Sequence, residues 1–169
     1  EAQSRRNEAS KAIGKAMGNG YPISAVVGKH EFMDVVEGKV FISSTFFPNS
    51  LEMAAALKTI EILQRDNVLP TLWATGERWL AEVRGIVAAS GVAAELSGIP
   101  PMPFITFPAD EAKKYKQRRT VFYTEVIRRG VFLQPYHHGY LMARHTEQDL
   151  RQAARAIEES LAEVKKQVG

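Results

Sequence analysis

The sequence predicts a mixed α/β chain that closes in an α+β layer, an antiparallel sheet covered by helices. Three observations predict it. From Leu69 onward the apolar pattern runs helix, strand, strand, helix, strand, strand, helix, an order that suits an antiparallel sheet with helical cover. Before that, short β-branched runs alternate with helical stripes, and the composition changes at Asp66-Asn67, which places a boundary between residues 1–66 and 67–169. Lastly, 45% hydrophobic and 24% charged residues in a chain of 169 suffice for the core of one domain or of two small ones.

Taken in order, residues 1–13 are polar and then alanine-rich, with helical propensity and little apolar periodicity. Residues 23–27 read as a short buried strand closed by Gly28. Residues 31–36 read as a short helix ended by Gly38, and residues 40–47 as a second strand. Pro48-Asn49-Ser50 breaks that strand, and Ser50 is the expected N-cap of a helix over 51–64 with Ala54, Leu57 and Ile60 on its apolar stripe and Leu63 and Ala56 nearby.

Pro70 suits the first turn of a helix reaching about residue 89, with Leu72, Trp79, Leu80, Val83, Ile86 and Val87 as its buried face and Gly91 as its stop. Strands are expected at 92–96 and 104–107, separated by the turn cluster Gly98-Ile99-Pro100-Pro101. A helix over 111–129 should bury Val121, Phe122, Val126 and Ile127, with Gly130 at its C-terminal cap. Residues 131–133 and 140–142 are expected to pair as strands. Thr146 and Asp149 resemble a capping box for a last helix to about residue 167, with Leu150, Ala153, Ile157, Leu161 and Val164 on one face.

Composition removes several function classes. No apolar run approaches the ~20 residues of a membrane-spanning helix, and residues 1–10 are too polar for a secretory leader. Without cysteine there are no disulfides or thiolate metal sites. The expectation is a cytoplasmic protein with no membrane partner. The net charge of +3 is mild. Its positive excess lies at Lys113, Lys114, Lys116, Arg118, Arg119, Arg128 and Arg129, with Tyr115 and Tyr123 among them. No nucleic-acid-binding motif accompanies these residues, so they read as a solvated helix face and no nucleic-acid partner is expected.

The stretch with chemistry in it is Gly14-Lys15-Ala16-Met17-Gly18-Asn19-Gly20-Tyr21-Pro22. A lysine amine condenses with aldehydes, and burial or a cationic neighbour makes it nucleophilic. Gly18 and Gly20 permit positive φ and close approach, and Pro22 sets φ before the next strand. On spacing alone, a lysine beside glycines is more often a solvated turn residue.

This stretch resembles the cofactor-lysine region of the class III aminotransferases, pyridoxal-phosphate enzymes that include glutamate-1-semialdehyde aminomutase. That family has Gly-Lys, two apolar residues, Gly-x-Gly, one residue and Pro, then a small apolar strand ending in Gly, and residues 15–28 fill each place. Lys11 is a rival in chemistry but not in register. A second segment, Ser43-Ser44-Thr45-Phe46-Phe47-Pro48-Asn49, is similar to the family's Gly-Thr-x-x-Gly-Asn-Pro stretch, with Ser44, Pro48 and Ser50 replacing glycine, glycine and proline. A third, Gly130-Val131 through Gly139-Tyr140-Leu141-Met142 to His145-Thr146-Glu147-Gln148-Asp149, is similar to the family's closing segment.

The resemblance runs from Ile13 to the end and implies roughly the last two-fifths of a fold-type-I enzyme. Residues 1–66 would close its large cofactor domain, and 67–169 would form its small C-terminal domain. It implies that Lys15 forms the Schiff base with pyridoxal 5′-phosphate and then shuttles a proton. It also implies that Ser44 and Thr45 bind the cofactor phosphate of the neighbouring subunit, hence a homodimer. The family's pyridine-pairing acid, phosphate-cradling turn and ring-stacking aromatic are not among these residues. The implied activity is amino-group transfer between small-molecule donors and acceptors, as an aminotransferase or an aminomutase. The alternative is a catalytically incomplete fragment, or a non-catalytic association module of the same fold.

Other candidates are weaker. Arg144 suits a substrate carboxylate, which a guanidinium grips with two parallel bonds. His137, His138 and His145 lack an acidic or thiolate partner at ligand spacing, so no metal is expected. Glu31, Asp34 and Glu37 read as solvated, and no Ser-His-Asp elbow, phosphate loop or dinucleotide fingerprint is present.

Overall fold

The computed structural model describes residues 10–36, 40, 41, 43 and 49–169, apart from the side chains of 10–12, 15 and 35. The chain divides into two compact units, Glu1–Asn67 and Val68–Gly169.

In the first unit β1 (Ser10–Ile13) pairs antiparallel with β2 (Ala25–Gly28), Ser10 opposite Gly28 and Ile13 opposite Ala25. A strand at Ser10–Ile13 overrides the helical propensity of that alanine-containing run, because pairing with a β-branched partner outweighs a weak local preference. The expected burial of β2 is also corrected. Val26 and Val27 are 63% and 43% exposed, since a two-stranded ribbon has no second layer of its own to cover both faces.

Helix α1 (His30–Met33) continues as a 3₁₀ turn, Asp34–Val36, close to the expected helix. Its expected stop, Gly38, lies outside the described residues. Of the strand expected over 40–47, Val40, Phe41 and Ser43 are not in a strand, and the rest lie outside the described residues.

Helix α2 (Ser50–Arg65) is capped by Asn49 rather than Ser50: the Asn49 Oδ1 accepts the Leu51 N–H at 3.1 Å. Asparagine is as good a cap as serine, so composition alone could not place the start to one residue. The stripe is rotated too. Ala56 and Glu52 are buried, whereas Ala54 is exposed and Leu57 is 70% exposed. Periodicity locates an apolar stripe but not the surface that covers it.

The second unit begins with α3 (Val68–Ser90), its Pro70 in the first turn and Gly91 beyond its end at φ +68. A hairpin follows, β3 (Glu95–Ile99) with β4 (Met102–Thr106), Ile99 opposite Met102. Pro100-Pro101 is therefore the whole connection, and Gly98 sits inside β3 rather than in the turn. At φ +99, a Cβ there would collide with the Met102 carbonyl, which is why glycine is needed.

Helix α4 (Lys114–Arg128) buries Phe122, Tyr123 and Val126, while Ile127, expected inside, is 47% exposed. Its end is a Schellman motif: Val131 N–H donates to the Val126 carbonyl and Gly130 N–H to that of Ile127, with Gly130 at φ +82. The strand pair expected at 131–133 and 140–142 is absent. Instead Gly139 and Leu141 donate backbone N–H bonds to the Pro103 and Pro101 carbonyls at 2.7 and 2.8 Å, which ties that loop to the hairpin without building a ladder.

Helix α5 (Glu147–Val168) starts at a complete capping box: Asp149 N–H donates to the Thr146 hydroxyl, and Thr146 N–H donates to the Asp149 carboxylate at 2.7 Å. Helices α3, α4 and α5 meet around Val83, Phe122, Val126, Ile157 and Leu161, all fully buried, with Ile105 and Phe107 entering from the hairpin side. Each such side chain contributes about 1.5–3 kcal/mol by leaving water. The expected α+β layer is thus a two-stranded sheet with helical cover.

Candidate functional site

Lys15 opens a single 3₁₀ turn, Lys15–Met17, within the connection between β1 and β2. Gly14 before it is extended, at φ −150 and ψ −166. The turn is closed by backbone bonds: Asn19 N–H donates to the Ala16 carbonyl, Tyr21 N–H to that of Gly18, and Ile23 N–H to that of Tyr21. Asn19 and Gly20 follow at φ 48 and φ 110. Gly18 is buried where a Cβ would lie 2.5 Å from the Tyr21 carbonyl oxygen and 2.7 Å from Ile23 Cγ2. Gly20 differs, because nothing stands within 4 Å of its Cβ position. The turn also packs on α2. The lysine backbone is therefore held by a tight loop that only glycine at position 18 permits. Ser44 and Thr45 lie outside the described residues.

The second unit holds the other candidates. Arg144 is exposed in the turn before α5. His145 Nδ1 accepts the Met142 N–H at 3.3 Å, a structural role in that turn. The His137 and His138 rings stack at 4.3 Å, and the Tyr140 ring meets that of His138 edge-on at 4.8 Å. The Nε2 of His138 is buried without a hydrogen-bond partner among the described residues. Among those residues no group of three or more His, Asp or Glu is arranged to hold a metal ion. No helix among them is long and apolar enough to cross a membrane. A narrow cleft lined by Trp79, Leu96, Tyr123, Leu133 and His137 has a volume of about 20 Å³, room for a water and not for a substrate.

Electrostatics at the start of α4 are built locally. Burial pushes the Asp110 carboxyl up, but the Lys114 and Tyr115 N–H groups and the Arg118 guanidinium outweigh it and hold the group below its usual range. Arg129 hydrogen-bonds Glu125 and Glu159, and Arg128 also pairs with Glu125. Sequence reasoning missed one relationship here. The Arg119 guanidinium stands 4.3 Å over the Tyr136 ring, two residues separated by the rest of α4 and a loop. No local pattern signals such a pair.

A family model described as aminotransferase class-III matches residues 11–161, a span that contains the Lys15 turn. The 3-aminobutyryl-CoA aminotransferase of Cloacimonas acidaminovorans is 57% identical over 154 residues, covering 91% of this chain and 37% of that protein. The glutamate-1-semialdehyde 2,1-aminomutase of Methanosphaera stadtmanae is 29% identical over 165 residues, covering 91% of this chain and 39% of its own length. Among solved structures, the FumI protein of Sphingopyxis sp. MTA144, in a form with PLP, superposes with a TM-score of 0.82 at 27% identity, covering 93% of this chain and 37% of that one. The chain thus spans less than two-fifths of the length of these relatives.

Proposed function

The chain belongs to the class-III aminotransferases, and on that premise we propose that it carries the cofactor lysine and the small domain of an enzyme moving an amino group to or from a 3-aminoacyl thioester of coenzyme A. One observation carries the substrate class. Identity to a 3-aminobutyryl-CoA aminotransferase is 57%, against 29% to a glutamate-1-semialdehyde aminomutase over a similar span. This favours transamination over the aminomutase reading.

The residues fit pyridoxal phosphate. A primary amine opens a tight turn, and Gly20 beside it leaves its Cβ position empty, so another group can approach the backbone there. Ser44 and Thr45 supply hydroxyls ahead of the N-terminus of α2, donors suited to a phosphate. When bound, pyridoxal phosphate supplies the electron sink that stabilises negative charge at the deprotonated substrate carbon. Lys15 holds the cofactor through its amine. The same amine, when free, would take the proton from the amine-bearing carbon of the substrate, general acid–base work for a flexible amine. In this reading residues 1–66 belong to the large domain and 67–169 form the small one. The enzyme is a cytoplasmic homodimer, with Ser44 and Thr45 of each protomer serving the partner's cofactor.

Borohydride reduction of the intact protein with pyridoxal phosphate, followed by peptide mapping, tests the assignment. The reduced cofactor is expected on Lys15. A label on Lys11, or none on a protein that melts cooperatively, overturns it and leaves the non-catalytic association module.

A further inference from the structure

The seven cations that read in sequence as one solvated helix face separate into two groups in the fold. Arg118, Arg128 and Arg129 are ion-paired, to Asp110, to Glu125, and to Glu125 with Glu159. Lys113, Lys114, Lys116 and Arg119 have no carboxylate partner among the described residues. Between residues 110 and 119 five cations (Lys113, Lys114, Lys116, Arg118, Arg119) face two carboxylates (Asp110, Glu111), so the start of α4 is locally positive.

Aromatic rings interleave with these charges. The Arg119 guanidinium lies 4.3 Å from the Tyr136 ring centre and 5.9 Å from that of Tyr115, and the Lys116 ammonium lies 6.0 Å from Tyr115. Tyr136 is 74% exposed, so one face of a large ring stays in water although a cation fixes its position. The helix start is not itself the anion site, because Asp110 already accepts the Lys114 and Tyr115 N–H groups at 2.9 and 2.8 Å. The unpaired side chains are.

We propose that Lys116, Arg119, Tyr115 and Tyr136 form a docking patch for the nucleotide end of a coenzyme A thioester. The proposal rests on the substrate class inferred above and adds a site for the part of that substrate remote from the reacting carbon. Coenzyme A ends in an adenine ring, a phosphomonoester and a diphosphate. The ring stacks on the exposed Tyr136 face, and the phosphates meet the Lys116 ammonium and the guanidinium edge. From Lys116 to Arg119 the helix rises about 4.5 Å, a span suited to one nucleotide rather than to the repeating phosphates of a nucleic acid.

The test is coenzyme A binding, by titration calorimetry, to the intact protein carrying Lys15→Ala and no pyridoxal phosphate. Saturable binding is expected, weakening with added salt. Lys116→Glu should reduce affinity about tenfold, and Tyr136→Ala about tenfold, the loss of one base–aromatic stack. Tyr136→Phe should restore it, which a merely unfolded variant would not do, and pantetheine, lacking the nucleotide, should not compete. Equal affinity in all variants, competition by pantetheine, or no binding at all overturns the patch. So does a single-stranded oligonucleotide bound more tightly than coenzyme A. Because the lysine amine is absent from this measurement, such failures leave the cofactor assignment standing, and a missing Lys15 label leaves the patch standing.

Discussion

The indole nitrogen of Trp79 donates a 3.0 Å hydrogen bond to the backbone carbonyl of Leu150, tying the middle of α3 to the first turn of α5 across 71 positions of sequence. Both residues are buried, so the bond forms where water does not compete for the donor. Trp79→Phe keeps most of the apolar contact and loses this bond. It should lower stability by about 1–2 kcal/mol, read as a shift in urea midpoint at constant m-value. An unmoved midpoint would show that the bond contributes nothing.

Burial separates two other substitutions. Leu161 is fully buried among the three long helices, and Leu161→Ala should cost about 2–5 kcal/mol through lost contact and a residual cavity. Ile127, which periodicity places inside, is 47% exposed, and Ile127→Ala should cost on the order of 0.5 kcal/mol. Thermal melts of the two variants give the comparison, and equal losses would contradict the observed packing.

Tyr123 makes stability depend on alkaline pH. Its hydroxyl donates to the Ile105 carbonyl at 2.6 Å, and burial pushes its pKa up to about 12, against a smaller lowering by Arg119. The folded value lies above the unfolded value of about 10. Its contribution is therefore complete below pH ~10 and is lost as pH rises toward 12. The urea midpoint of the wild type should fall over that window more steeply than that of Tyr123→Phe. Parallel curves would exclude the effect.

Asp149 works in the opposite direction. The Thr146 N–H, then the Thr146 hydroxyl, hold its carboxyl below the usual range; burial opposes them, and His145 adds a smaller lowering. A depressed carboxylate gives stability that is complete above the unfolded pKa of about 3.9 and is lost as pH falls through the folded value. Asp149→Asn should therefore flatten the acid side of the stability curve. Thr146→Ala, which removes the cap itself, should cost about 1 kcal/mol near neutrality. Melting both variants from neutral pH down to well below pH ~3.9 separates the two effects.

At the lysine turn, glycines 14 and 18 should respond differently. Gly18→Ala drives a methyl to 2.5 Å from the Tyr21 carbonyl oxygen, whereas at Gly14 the nearest atom, Ser24 Cβ, is 3.6 Å away. Gly18→Ala should reduce borohydride labelling of Lys15 severalfold, and Gly14→Ala should leave it within about twofold, since overpacking strains backbone only where nothing can yield. Equal labelling of the two variants would separate the turn geometry from the lysine's reactivity.

The candidate site was legible in part. The glycine-rich turn at 14–20 and the capping pair Thr146 and Asp149 are local signals, and the fold has a tight turn and a capping box at those positions. The Arg119–Tyr136 contact left no such trace, because it joins a helix to a loop whose path follows from the Gly139 and Leu141 bonds to the hairpin. The same bonds explain the missing second strand pair. With only two of them the loop lies beside β4 without a ladder, a distinction that residue propensities do not carry.

By itself the sequence determined the family, the long helices, the end of α4 at Gly130, the capping pair of α5 and the buried stripe of α5, since periods of 3.6 and glycine-marked stops act within a few residues. Only the tertiary structure decided the hairpin register, the rotation of the α2 stripe, the exposure of Ile127 and which cations of α4 are left unpaired. Those outcomes depend on partners far away in the chain, as Arg129 depends on Glu159 and Trp79 on Leu150. A local pattern can state that a face is apolar or charged. What meets that face is settled by packing.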